Sequence, residues 1–127
     1  MEPSNKDIFE VLNKMKQENS SYPSLVEKDG KYGLMGADGD WIIEPRLLKA
    51  YYFFDDLCRA QDENGKWGWF NTEGHWVIPA KFDNAEAFKG DGLARVDIDG
   101  KRGEINMRGQ WVIGPFDISD YENDDNK

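Results

Sequence analysis

At 127 residues the chain has the length of one domain, and a chain of this size can bury roughly two thirds of the surface its unfolded form exposes. Its 25 acidic residues outnumber 16 Lys and Arg, and the net charge of −9 argues against nucleic acid or an anionic membrane as a direct ligand, because phosphate binding rests on positive charge. The one cysteine, Cys58, excludes an internal disulfide and fits a reducing compartment. No apolar run reaches the roughly 18 residues a membrane span needs. The N-terminus lacks the charged start and apolar stretch of a signal peptide, so a cytoplasmic location is expected.

In chain order, residues 4–18 are predicted to form an amphipathic helix. Ser4 can cap it with Asp7 three residues on, and Ile8, Val11, Leu12 and Met15 fall on one face. A polar linker over 19–24 follows. A repeat then takes over: Gly30-Lys31, Gly65-Lys66 and Gly100-Lys101 recur every 35 residues. The segments read GKYGLMGADGDWII, GKWGWFNTEGHWVI and GKRGEINMRGQWVI, with six positions identical in all three. Upstream, Leu57-Cys58-Arg59-Ala60 matches Leu93-Ala94-Arg95-Val96 with a one-residue slip before the glycine.

Each unit reads as strands and turns. Asn64-Gly65 and Asp99-Gly100 are two-residue hairpin signals. Asp38-Gly39, Glu73-Gly74 and Arg108-Gly109 mark a second turn. The expected unit is a three-strand antiparallel meander, present about two and a half times, the first unit being complete only if Ser24-Leu25-Val26-Glu27 supplies its leading strand. Residues 45–56 and 79–92 are expected to be crossovers, with or without a short helical turn, that tuck rings such as Tyr51-Tyr52-Phe53-Phe54 into the core. Residues 117–127 carry five acids and one lysine and read as a solvated acidic tail. The expected organisation is therefore a helix and linker over 1–21, a β domain over 22–116 and the tail over 117–127.

Strand alternation assigns faces. Met35, Phe70 and Ile105 share a face with Gly33, Gly68 and Gly103. A tryptophan from a neighbouring strand is expected over Gly68. The opposite face holds Tyr32 and Leu34, Trp67 and Trp69, then Arg102 and Glu104. Its change to charge suits a terminal repeat, on which nothing stacks. The closing strand, Trp41-Ile42-Ile43 and its copies, is expected to be buried on both sides.

These units resemble WG repeats. Trp67-Gly68, Val77-Ile78-Pro79, Phe82-Asp83 and Gly92-Leu93-Ala94-Arg95-Val96 carry the likeness, which covers residues 30–116. Tyr32, Glu44 and Arg102 depart from the pattern. The resemblance implies a mainly β protein without shared catalytic residues, used as an interaction or structural module. Short stand-alone versions are similar to the immunity partners of bacterial toxins.

The residues themselves favour binding over catalysis. His75 aligns with Asp40 and Gln110, a solvent-facing position poorly suited to a Ser-His-Asp triad. Cys58 aligns with Ala94 and reads as a packed residue, since a reactive thiol needs an electropositive site. Asp97-Ile98-Asp99-Gly100 has the wrong spacing for a calcium loop. Gly90-Asp91-Gly92 lacks the third glycine and helix of a phosphate loop, and no Cys/His cluster suits zinc. No enzyme, metal or cofactor is expected.

Two features remain as binding candidates. The first is acidity at Asp55, Asp56, Asp62, Glu63, Asp97 and Asp99 and in the tail, either ordinary solubility or a surface that speeds encounter with a basic partner. The second is the aromatic face of Tyr32, Trp67 and Trp69, either a partner anchor or packing beneath the N-terminal helix. The expected function is a non-catalytic module binding a cognate toxin domain one to one, as an immunity protein, with no nucleic acid, membrane or small-molecule substrate. The alternative is a structural adaptor in a larger assembly.

Overall fold

The computed structural model describes residues 22–120. The predicted helix over 4–18 and most of the acidic tail lie outside the described residues. Eleven strands are described: β1 (Ser24–Lys28), β2 (Lys31–Met35), β3 (Trp41–Leu47), β4 (Lys49–Phe54), β5 (Leu57–Gln61), β6 (Trp67–Asn71), β7 (Trp76–Phe82), β8 (Asn84–Ala85), β9 (Ala94–Ile98), β10 (Lys101–Ile105) and β11 (Trp111–Asp117). They form three antiparallel meanders, ordered β1-β2-β3, β4-β5-β6-β7 and β11-β10-β9-β8. Ser24–Lys28 does supply the leading strand of the first unit, pairing with β2 from Ser24↔Met35 to Lys28↔Lys31.

The first expected crossover is almost wholly strand, and the second is strand as far as Ala85, with no strand over 86–92. The closing strands run on through Pro45 and Pro79 to Leu47 and Phe82, and β4 and β8 then open the next sheet. No helical turn intervenes, and the second and third sheets have four strands each instead of three. The physical reason is a wide bulge. Between the pairs Leu34↔Ile43 and Tyr32↔Leu47, two steps along β2 face four along β3. Trp69↔Ile78 and Trp67↔Phe82 repeat the arrangement. A bulge tolerates proline because its residues leave the ladder.

The repeated glycines lie opposite these bulges. A Cβ on Gly68 would stand 2.5 Å from the Ile78 carbonyl oxygen and 2.7 Å from the Ala80 nitrogen. What covers Gly68 is thus the backbone of β7, not the expected tryptophan. At Gly33 and Gly103 a ring joins the backbone, Trp41 Cζ3 at 2.9 Å and Trp111 Cζ3 at 2.8 Å from where a Cβ would stand.

Turn chemistry recurs as well. Asp29-Gly30 and Asp99-Gly100 have φ of 54° and 80°, then 52° and 77°, the paired positive values of a two-residue hairpin turn. Asn64-Gly65 belongs to a longer turn, contrary to its dipeptide signal. Asp62 Oδ1 accepts from the amides of Asn64 (2.9 Å) and Lys66 (3.0 Å), and the Gly65 amide donates to the Asp62 carbonyl. This longer turn absorbs the one-residue slip. Asn71 and Asn106 build the same turn before β7 and β11.

Two cores separate the three sheets. Leu34, Ile43 and Leu47 of the first pack against Cys58, Ala60 and Phe70 of the second. Trp69, Ile78 and Phe82 of the second pack against Ala94, Val96 and Ile105 of the third. The one interface is the other moved along by a unit. Closing strands are not buried on both sides: Ile43 and Ile78 are buried, but Ile42 and Val77 are exposed, as are Val112 and Ile113. The alternation of a strand covered on one face wins over an apolar run.

Candidate protein-interaction surface

In a meander successive turns alternate between two edges, and this sorts the nominated acids. One edge carries the turn of Asp62 and Glu63, the corner at Asp83 and the turn of Asp99. Lys66 sits among them. It forms an ion pair with Asp83, whose other oxygen accepts from the Asp99 amide at 2.9 Å. That contact raises the Lys66 pKa, with further help from the charges of Asp99 and Asp62, and lowers that of Asp83. Glu63 lies 3.6 Å from Arg46. The structure therefore does bring Asp62 and Asp99 to one edge, together with the unpredicted Asp83, around a lysine that answers part of their charge.

Asp97 lies inside this edge and is occupied. Arg102 donates from Nε to Oδ1 (2.7 Å) and from Nη2 to Oδ2 (3.1 Å). This forked bond is geometrically specific and charge-assisted. The Arg102 hydrogen bonds hold the Asp97 carboxyl below its ordinary range, against the opposing effect of partial burial. A depressed folded pKa means the pair contributes stability above the unfolded carboxyl's value and loses it as pH falls through the folded value. Asp97→Asn is therefore expected to lower the urea midpoint at neutral pH and to flatten its fall toward about pH 3. An unaltered acid profile would show that Asp97 is not part of the acid response.

Asp55 and Asp56 face the opposite edge, at the tip of the β4–β5 hairpin, with φ of 48° and 64°. Asp38 and Asp40, in the turn before β3, and Glu73, before β7, share this edge. No lysine or arginine pairs with Asp38, Asp40, Asp55 or Asp56 among the described residues. Asp56 accepts the Tyr22 hydroxyl, which raises the tyrosine pKa. Beside this tip, Tyr52 is 89 % exposed and Phe54 49 %. These two rings were expected in the core. Period-two alternation does not settle β4, because its pairing with β5 slips between Ala50 and Phe53: Phe53 packs on Phe70 in the first core, whereas Tyr51, also expected in the core, is exposed and lies on Trp67.

The two tryptophans part company. Trp69 is 2 % exposed within the second core, its ring 4.9 Å from that of Phe88. It packs under the third sheet, buried among Ala94, Val96 and Ile105, and the N-terminal segment expected over it lies outside the described residues. Trp67 is half-buried, stacked on Tyr51 at 5.9 Å and 12°. The Arg59 guanidinium lies 4.4 Å from the Tyr51 ring centre and 5.5 Å from that of Trp67. The remaining side of Trp67 lines a polar cleft of about 380 Å³ with Asn84, Glu86, Arg95, Asp97 and Arg102.

Cys58 is fully buried, and its thiol donates to the Tyr51 carbonyl at 2.8 Å. Burial pushes its pKa up to about 12, so it holds its proton at neutral pH and packs as the alanine in its aligned position does. His75 is exposed, with Nδ1 3.5 Å from Glu73. Among the described residues no group of three or more His, Cys, Asp or Glu is placed to hold a metal ion. No described helix is long and apolar enough to cross a membrane.

Three translated sheets, a glycine under each bulge and surface chemistry concentrated in turns define a β-repeat module. The family model for the WG containing repeat matches twice, over residues 32–67 and 67–101. These matches span more than half of the chain, which belongs to the WG-repeat family. No curated protein and no solved structure matches it.

Proposed function

We propose that the chain is a non-catalytic protein-binding module that serves as an immunity protein. It holds a basic, nuclease-type toxin domain in a one-to-one complex and covers that domain's active site. The observation supporting a binding role is the β4–β5 hairpin, where two exposed rings, Tyr52 and Phe54, adjoin Asp55 and Asp56, which no lysine or arginine among the described residues pairs. Exposed aromatics supply the anchoring area of binding hot spots. Acids beside them favour a basic partner and raise its rate of encounter. Asp38 and Asp40 extend the same field along the edge.

The test is binding kinetics against the toxin domain encoded in the adjacent reading frame, with the activity of that domain followed in parallel. Tyr52→Ala is expected to weaken binding about 30-fold or more, as a hot-spot loss does. Asp55→Asn with Asp56→Asn, which keeps side chains tolerant of left-handed backbone, is expected to slow association and reduce its salt dependence. Unchanged affinity in both variants would overturn the assigned surface. A toxin domain still active in the saturated complex would overturn the immunity reading.

A further inference from the structure

We propose that Asn64 is a site of spontaneous covalent modification, converting to aspartyl and isoaspartyl residues through a succinimide closed by Gly65, and that the carboxylate of Asp62 sets the rate by holding the turn shut. Asn-Gly occurs once in the chain, at Asn64-Gly65. Among the described residues it stands in one of four turns of the same build. In each, the glycine amide donates to the carbonyl three residues back: Gly39 to Gly36, Gly65 to Asp62, Gly74 to Asn71 and Gly109 to Asn106. The residue before the glycine is Asp38, Asn64, Glu73 or Arg108. Only the second turn therefore sets a carboxamide beside the glycine nitrogen.

The reaction needs water and no other reagent. The Gly65 nitrogen loses its proton to hydroxide and attacks Asn64 Cγ. The N–Cγ bond forms, the Cγ–Nδ2 bond breaks, and Nδ2 leaves as ammonia with a proton from water. A second water opens the five-membered ring at one of its two carbonyls. Opening at Cγ leaves an aspartate at position 64. Opening at the backbone carbonyl leaves an isoaspartate, whose main chain runs through Cβ and Cγ.

The turn both offers this step and restrains it. Asn64 is exposed, and its carboxamide makes no hydrogen bond among the described residues. Glycine has no side chain to screen its nitrogen. Against this, the Gly65 N–H is committed to the Asp62 carbonyl at 3.0 Å, and the Gly65 carbonyl accepts from Gln61 Nε2 at 3.0 Å. Asp62 Oδ1 accepts the amides of Asn64 and Lys66 at 2.9 and 3.0 Å, and bonds to an ionised acceptor are the strong ones. An amide held in this way keeps its proton and its orientation until the turn opens, so local opening gates the reaction. The aspartyl product matches Asp29 and Asp99, which stand before the aligned glycines of the other two units. It adds a negative charge to the edge where Lys66 already pairs with Asp83.

Incubation of the full chain at neutral pH, followed by peptide-resolved mass spectrometry and isoaspartyl methyltransferase labelling, tests this. Asn64 is expected to react before any other described asparagine, and more slowly in the folded chain than in urea. Asp62→Ala is expected to speed the reaction more than about tenfold, the effect of losing two bonds to a charged acceptor, with Asn71 and Asn106 unchanged. Asp62→Asn supplies the acceptor that Asn71 and Asn106 use in their own turns and is expected to stay within about threefold of the wild type. Circular dichroism confirms that the variants fold, and the comparison with urea needs no variant at all. A folded wild type that reacts at Asn64 as fast as the chain in urea would overturn the proposal. So would another described asparagine reacting first, an Asp62→Ala rate equal to the wild type, or an acceleration shared by Asn71 and Asn106.

Discussion

Gly68→Ala is expected to destabilise the domain by about 2–3 kcal/mol, the cost of a methyl group forced into a place already filled. The argument lies in what the methyl would meet. Three backbone atoms of the β7 bulge, the Ile78 oxygen, the Ala80 nitrogen and the Pro79 carbonyl carbon, stand 2.5–2.7 Å from the Cβ position. A flexible side chain could turn away, but a bulge pinned by the pairs Trp69↔Ile78 and Trp67↔Phe82 cannot. Relief would require pulling β7 off β6, and with it Ile78 and Phe82 out of the core. Gly90→Ala is the control: nothing lies within 4 Å of that position, and its cost is expected to stay within about 0.5 kcal/mol. Urea denaturation of the two variants reads the difference. Equal midpoints would show that the bulge yields, and that the glycine answers some other need.

Trp69→Ala is expected to cost about 3–5 kcal/mol, as removal of a buried large ring does. Trp69 spans the space between the second and third sheets, with Phe82 and Phe88 against its faces and edges. No nearby backbone can collapse into the void without undoing the register of β6 on β5 and β7. The same substitution separates packing from recognition. Molecules of Trp69→Ala that remain folded should bind a partner as the wild type does. Tyr52→Ala should lose binding while its urea midpoint moves little, since that ring is 89 % exposed. A Trp69 variant with a wild-type midpoint would remove the ring from the core and return it to the list of surface anchors.

The repeat and most of its turns are legible in sequence for a local reason. An Asx-Gly pair needs positive φ wherever it stands, and the spacing of 35 residues fixes which turns correspond. Which residues of β6 and β10 share a face follows from alternation alone. What escapes local reading is set by contacts between units. Gly68 looks like a seat for a ring because a missing side chain signals close approach without naming the visitor. Asn64-Gly65 looks like a two-residue turn because the dipeptide says nothing about Asp62, whose carboxylate widens the loop. Tyr51-Tyr52-Phe53-Phe54 looks like core because four rings in a row carry no polar residue to mark the outer face. Among the acids, sequence proximity groups Asp97 with Asp99, yet only Asp99 is outward, since Arg102 across the hairpin takes Asp97 for itself.

The middle sheet is covered on both faces, by the first sheet through Phe70 and by the third through Trp69. Each outer sheet shares one of those two cores and has no described contact cluster with the other outer sheet. Cooperativity therefore passes through neighbours, as in a short chain of coupled units. Loosening either outer sheet releases one core and spares the other, whereas loosening β6 releases both. Opening of the molecule thus has a direction, from its ends inward, and the strand reading Trp-Gly-Trp-Phe is the last to let go.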